Sequence, residues 1–280
     1  IGMNALVANT TASNNTAVGK SALTSNTTGG TNVAIGSLCL DANTTGQNNV
    51  AVGVHTLGGN TTADDNTAIG HQALKANTTG TRNTAVGTLS LDANTTANDN
   101  TAMGYDAATA NTTGTQNTVI GAYAFDANTT GSYNVAVGRA ALSANTDADF
   151  NTAIGRAALE QNTTGASNVA LGGNALDANT TGSTNTALGT SALSANTTAS
   201  NNVAVGSNAL NANTTGTQNT AVGKDALDVN TTAGNNTAVG YSSLGANTEG
   251  TSNTAMGSFA LLSNTTGDQN TAMGQNSLDA

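Results

Sequence analysis

The chain has 280 residues, yet only 2% are aromatic and 8% charged, with 33 Gly, no Trp and no Pro, so the large side chains that fill a thick globular core are missing. So polar a chain with so few charges is also unlike a disordered tail, which depends on net charge and Pro. A net charge of −10, from 16 acidic and 6 basic residues spread singly, leaves no basic stripe and disfavours nucleic acid and anionic membrane as partners.

Cys39 is the sole cysteine, so no intrachain disulfide is expected. No apolar run reaches the length of a membrane span and no signal peptide is recognisable, so no membrane insertion is expected in this segment. The chain opens at Ile1 in phase with a repeat and stops at Ala280 in mid-repeat. Residues 1–280 are therefore expected to be one uninterrupted repeat array, a segment of a longer fibrous protein.

Gly recurs at residues 2, 19 and 36 and at every seventeenth residue thereafter to 274, without insertion or deletion. With that Gly as position 1, the unit reads G-x-x-A-L-x-A-N-T-T-[GA]-x-x-N-[TV]-A-V. Position 5 is Leu except at Ala108 and Phe125, position 16 is Ala except at Val119, and position 17 is always Val, Ile, Leu or Met. Positions 2, 3, 12 and 13 vary freely, which marks them as solvated. Seventeen residues are too few for a helical repeat unit. They suit one coil of an all-β, parallel β-solenoid or β-roll of about sixteen coils, and sheet spacing makes such a stack on the order of 75–80 Å long.

In chain order, each coil is expected to run from Gly into a strand B, roughly A-L-x-A. An NTTG corner follows, then a variable pair, then a strand A over N-[TV]-A-V-G. Asn and Gly accept left-handed backbone angles cheaply, which places them at the corners. Strict spacing has a physical cause, because an inserted residue flips side chains to the wrong face. Position 6 is often Asp, as at Asp41, Asp92, Asp126, Asp177, Asp228 and Asp279, and is expected to face water with position 4. Alternation then turns positions 5 and 7 inward in strand B. In strand A it turns positions 15 and 17 inward and Ala at position 16 outward. The opposite assignment competes: Ala lines a tight interior while the Val and Leu stripes pack between chains. Both assignments leave faces that need cover and favour self-association.

Two Asn columns stand out. Position 14 comprises Asn15, Asn32, Asn49, Asn66, Asn83, Asn100, Asn117, Asn134, Asn151, Asn168, Asn185, Asn202, Asn219, Asn236, Asn253 and Asn270, and is never a glycosylation sequon. It reads as a ladder of side-chain amides bonded between coils. Position 8 forms N-x-[ST] acceptors at Asn9, Asn26, Asn43, Asn60, Asn77, Asn94, Asn111, Asn128, Asn162, Asn179, Asn196, Asn213, Asn230 and Asn264. At Asn145 and Asn247 the second Thr is replaced by Asp147 and Glu249, yet the Asn stays. That favours a second structural ladder over N-glycans, and the two roles coexist only if the side chain points outward. Stacked Thr at positions 9 and 10 raises an ice-binding face, but such faces place Thr on alternate strand positions, not on neighbouring corner residues.

Other candidates are weak. His55 and His71 stand alone on variable positions, and Cys39 has no His in a fixed relation. Asp126, Asp177, Asp228 and Asp279 recur every third coil, about 14 Å apart, too far to share an ion. No catalytic residue, metal site or cofactor is expected, and an enzyme is not expected either.

The blocks "NTAIG" (Asn66–Gly70) and "NTAVG" (Asn83–Gly87) resemble the head repeats of trimeric autotransporter adhesins. The longer unit "NTAVGKDALDVNTTAGN" (Asn219–Asn235) is similar to arrays in bacterial surface proteins and phage tail-fibre proteins. The likeness covers the whole chain, although the adhesin head repeat is shorter and lacks the NTTG corner. It implies a left-handed, trimeric β-roll serving as a fibre, stalk or adhesive head of an extracellular filament, cell surface or virion. Such a protein would act by self-association into a homotrimer or filament and by contact with a host surface or glycan. The alternative function is an ice- or glycan-binding surface protein using the stacked Thr and Asn columns.

Overall fold

A computed structural model describes residues 1–279, so Ala280, the last residue of the expected array, lies outside the described residues. The chain groups into two compact units, Ile1–Arg139 and Ala140–Ala280. The first holds eight three-residue strands, from β1 (Thr16–Val18) to β8 (Val135–Val137). The second holds eight more, from β9 (Thr152–Ile154) to β16 (Thr271–Met273). Within each unit successive strands pair in parallel at an offset of one repeat, as in Thr16↔Val33, Ala17↔Ala34 and Val18↔Ile35. No described residue is helical. Each unit is thus a parallel β-solenoid of 17-residue coils.

Only strand A is a strand. The expected strand B is a stacked turn with position 3 and position 5 in the left-handed region, as at Ser21 (φ 58°) and Leu23 (φ 52°). Position 13 is left-handed too, as at Thr31 (φ 58°), so the corners do not reserve that conformation for Asn and Gly. A strand would send Ala at position 4 and Leu at position 5 to opposite faces. The left-handed steps turn both inward instead, and Ala22 and Leu23 are fully buried. A bulky residue resists this conformation by about 1–2 kcal/mol. Leu burial offsets that cost, and so do inter-coil backbone bonds such as Leu38 N–H to Lys20 O at 2.9 Å and Leu40 N–H to Thr56 O at 3.1 Å.

The apolar part of the interior is built chiefly from positions 4, 5 and 16. Ala34, Ala51 and Ala68 are fully buried, while Ile35 and Ile69 at position 17 are about two-fifths exposed. This corrects the expected facing: position 16 points in, positions 15 and 17 point out, and position 4 joins the core. The competing assignment is half right, since Ala does line a tight interior but Leu packs inside the chain beside it.

The departures at positions 5 and 16 fall in two adjoining coils. Ala108 at position 5 and Val119 at position 16 share a coil, and Phe125 occupies position 5 of the next. All three are buried, so a smaller and two larger side chains are accommodated within two adjoining coils. The recurrent Gly at position 1 has a steric origin as well. Gly36 sits at φ 143°, and a Cβ there would run into the Gly53 carbonyl of the next coil.

Candidate functional site

Both Asn columns point inward and form continuous ladders within each unit. At position 8, Asn43 Nδ2 donates to Asn26 Oδ1 at 2.8 Å and to Gly46 O at 3.0 Å. At position 14, Asn49 N–H donates to Asn32 Oδ1 at 2.9 Å, and Asn32 Nδ2 donates to Gly46 O at 2.8 Å. The position-11 carbonyl therefore accepts from both columns and ties the two ladders together. The same joint recurs at Gly80, reached by Asn77 at 2.9 Å and Asn66 at 2.9 Å. From Asn26 to Asn247 in one column and Asn32 to Asn253 in the other, the side chains are buried. Burying so many amides is tolerable only because their donors and acceptors are met.

The Thr pair divides by role. At position 9 the hydroxyl donates to the Thr carbonyl one coil on, as Thr27 Oγ1 does to Thr44 O at 3.0 Å. At position 10, Thr28 and Thr45 are exposed. The two interrupted copies obey this division. Thr146 and Thr248 keep their bonds to Thr163 O (3.3 Å) and Thr265 O (3.2 Å), while exposed Asp147 and Glu249 replace only the outer Thr. The sequon reading needs an outward amide, and the buried Nδ2 of Asn60, bonded to Asn43 Oδ1 and Ala63 O, is not one.

The outward face of strand A is a strip of Thr or Val at position 15 and Val, Ile, Leu or Met at position 17. All charged residues of the chain fall at positions 2, 3, 6, 10, 12 and 13, so none lies on the strip. Two aromatic pairs flank it on the position-2 and position-3 side. Tyr105 and Tyr123 meet edge-to-face at 5.3 Å with Arg139 over Tyr123, and Tyr241 meets Phe259 at 5.1 Å with Lys224 over Tyr241. Arg82 and Asp99 form an exposed ion pair at 2.6 Å.

The remaining candidates resolve individually. Cys39 is buried with its thiol against Ala51 O at 3.2 Å, and burial pushes that thiol up to about 12. Asp residues at position 6, expected in water, are half-buried, and burial raises the carboxyls of Asp41, Asp126 and Asp228. His71 is exposed. His55 is half-buried and, with Asp41, lines a hollow beside Gly58 and Gly59. Sequence reasoning passed over that hollow, although two adjacent glycines at positions 6 and 7 of one coil were its visible mark. Ser243 Oγ is buried without a hydrogen-bond partner among the described residues. No described cluster of His, Cys, Asp or Glu could hold a metal ion, and no described helix is long and apolar enough to cross a membrane.

These features define a repeat solenoid held by paired amide ladders, with one uncharged outward strip. No protein-family model matches the chain, and none of the curated proteins matches it.

Proposed function

We propose that this chain is a structural segment of an extracellular fibre, stalk or surface adhesin, in which copies associate through the uncharged strip into a homotrimer or filament. The carrying observation is the strip itself. Two copies with a net charge of −10 repel across their charged positions, and the strip is an outward band where apolar side chains meet no charge. The resemblance to trimeric adhesin heads and tail-fibre arrays supports the same reading and supplies its left-handed, three-chain form. On this reading the chain has no catalytic role. Coils that repeat one polar set offer no nucleophile–base pair, and contact with a host surface or glycan falls to the variable outer positions.

Sedimentation of the native chain tests the reading. A trimer or larger assembly is expected, and Ile69→Lys with Val222→Lys is expected to give monomers with an unchanged circular dichroism spectrum. A native monomer at all concentrations would sink it. A second reading keeps one observation in its favour: positions 15 and 17 share an outward face, and position 15 is Thr in most copies. An ice-affinity assay separates the two, because a fibre segment is not enriched in ice.

A further inference from the structure

Gly58 and Gly59 interrupt the outer surface of the first unit. Position 7 carries a side chain in every other copy, and position 6 lacks one only here and at Gly245. The two gaps differ. At Gly245 an added Cβ would meet Leu262 Cδ1 at 3.1 Å, so the following coil's leucine occupies the space. At Gly58 the following coil offers Lys75, whose side chain stays out, and the nearest atom to an added Cβ is Asp41 Oδ1 at 3.3 Å. A hollow of about 540 Å³ remains, lined by Asp41, His55, Gly58, Gly59, Lys75 and Asp92.

Its polar groups are complementary in sign and available. Asp41 and Lys75 stand two coils apart, about 10 Å along the stack, with Gly58 between them. Neither forms an ion pair among the described residues, whereas Asp92 already accepts the Thr109 hydroxyl at 2.8 Å. The backbone is also open here. In most coils the position-7 N–H donates to the next coil's position-6 carbonyl, as in Ser25 to Asp41 O at 3.1 Å and Ala76 to Asp92 O at 2.9 Å. Neither Ala42 to Gly58 O nor Val229 to Gly245 O forms such a bond, so the two glycine gaps share this open carbonyl and differ in whether a side chain fills the space. A carboxylate and an unpaired carbonyl thus sit at one end, and an ammonium at the other.

We propose that this hollow binds a small zwitterion of the α-amino acid class, its ammonium at the Asp41 carboxylate and Gly58 carbonyl and its carboxylate at the Lys75 ammonium. Single-charge ligands meet only one of the two charges, leaving either half-buried Asp41 or exposed Lys75 unmatched. Asp41 suits the cationic end, because burial penalises its carboxylate and a bound ammonium would relieve that cost. The site needs no second chain, so it stands whether or not the strip mediates assembly.

The test is an NMR amide-shift titration of the whole chain with L-alanine, using ethylamine and propionate as single-charge controls and the Gly245 amide as internal reference. L-Alanine is expected to shift Gly58, Gly59 and Ala76 saturably, with both controls at least tenfold weaker. Gly58→Leu fills the hollow from its own coil, and Gly58 lies outside the left-handed region, so the substituted coil retains an allowed backbone. It is expected to abolish the shifts, and Lys75→Met, at an exposed position, to weaken them at least tenfold. Absence of saturable shifts, equal response to either control, or full binding by Lys75→Met would overturn the assignment.

Discussion

Each coil turns in two ways, and the contrast is instructive. The Ala-Leu segment turns by left-handed backbone steps and closes on apolar side chains; Leu74, with φ 52° and full burial, is representative. The Asn-Thr-Thr corner turns with side-chain amides bonded up and down the stack, as at Asn60 and Asn77. The first admits a change of size, as Ala108 and Phe125 show. The second keeps its Asn in every copy but admits Asp147 and Glu249 at its outer Thr. Packing is negotiable over two coils; a shared hydrogen-bond column is not.

Replacing one amide should strike hardest. Asn66→Leu would strand the buried Asn83 N–H, which Asn66 Oδ1 accepts at 2.9 Å, and withdraw a donor from Gly80 O. Chemical denaturation is expected to show a loss of about 3–5 kcal/mol. Leu74→Ala empties one core position and should cost about 2–5 kcal/mol, nearer the lower figure because slender coils can close on the gap. A loss at Leu74 larger than at Asn66 would reverse the ranking of the two turns. Ser243→Ala removes the unpartnered buried hydroxyl and restores the residue most copies use, so a gain of about 1 kcal/mol is expected.

The smallest effect concerns pH. Burial raises the Asp126 carboxyl in the folded chain, so the folded state holds its proton more tightly than the unfolded one. Its ionised form therefore penalises folding at neutral pH. That penalty fades as pH falls through the raised folded value and is gone below the unfolded one. Asp126→Asn should raise the melting temperature at neutral pH and give no gain near about pH 3. An equal gain at both would mean that charge is not the cause.

Much of this was legible in the chain. The unslipped seventeen-residue interval implied parallel coils in register, and Asn145 and Asn247, which keep Asn without a sequon, pointed to ladders. The facing of strand A was not legible, because alternation was propagated from Asp at position 6 through a strand that does not form. Leu at position 5 carries no local mark of a left-handed backbone; burial and stacking impose it. The ladders' joint at position 11 was hidden too, since a backbone carbonyl leaves no trace in residue identity. Gly58 and Gly59 marked the place of the hollow but not its emptiness, because Gly245 shows that a following leucine can fill the same gap.

The joint at position 11 has a consequence for how such a chain changes over generations. Each amide bonds only within its own coil or to the coils beside it, and every coil presents the same donors and acceptors. A whole coil can therefore be gained or lost by unequal recombination without redesigning any contact, while a partial one cannot. Length becomes a heritable quantity adjusted in steps of about 4.8 Å.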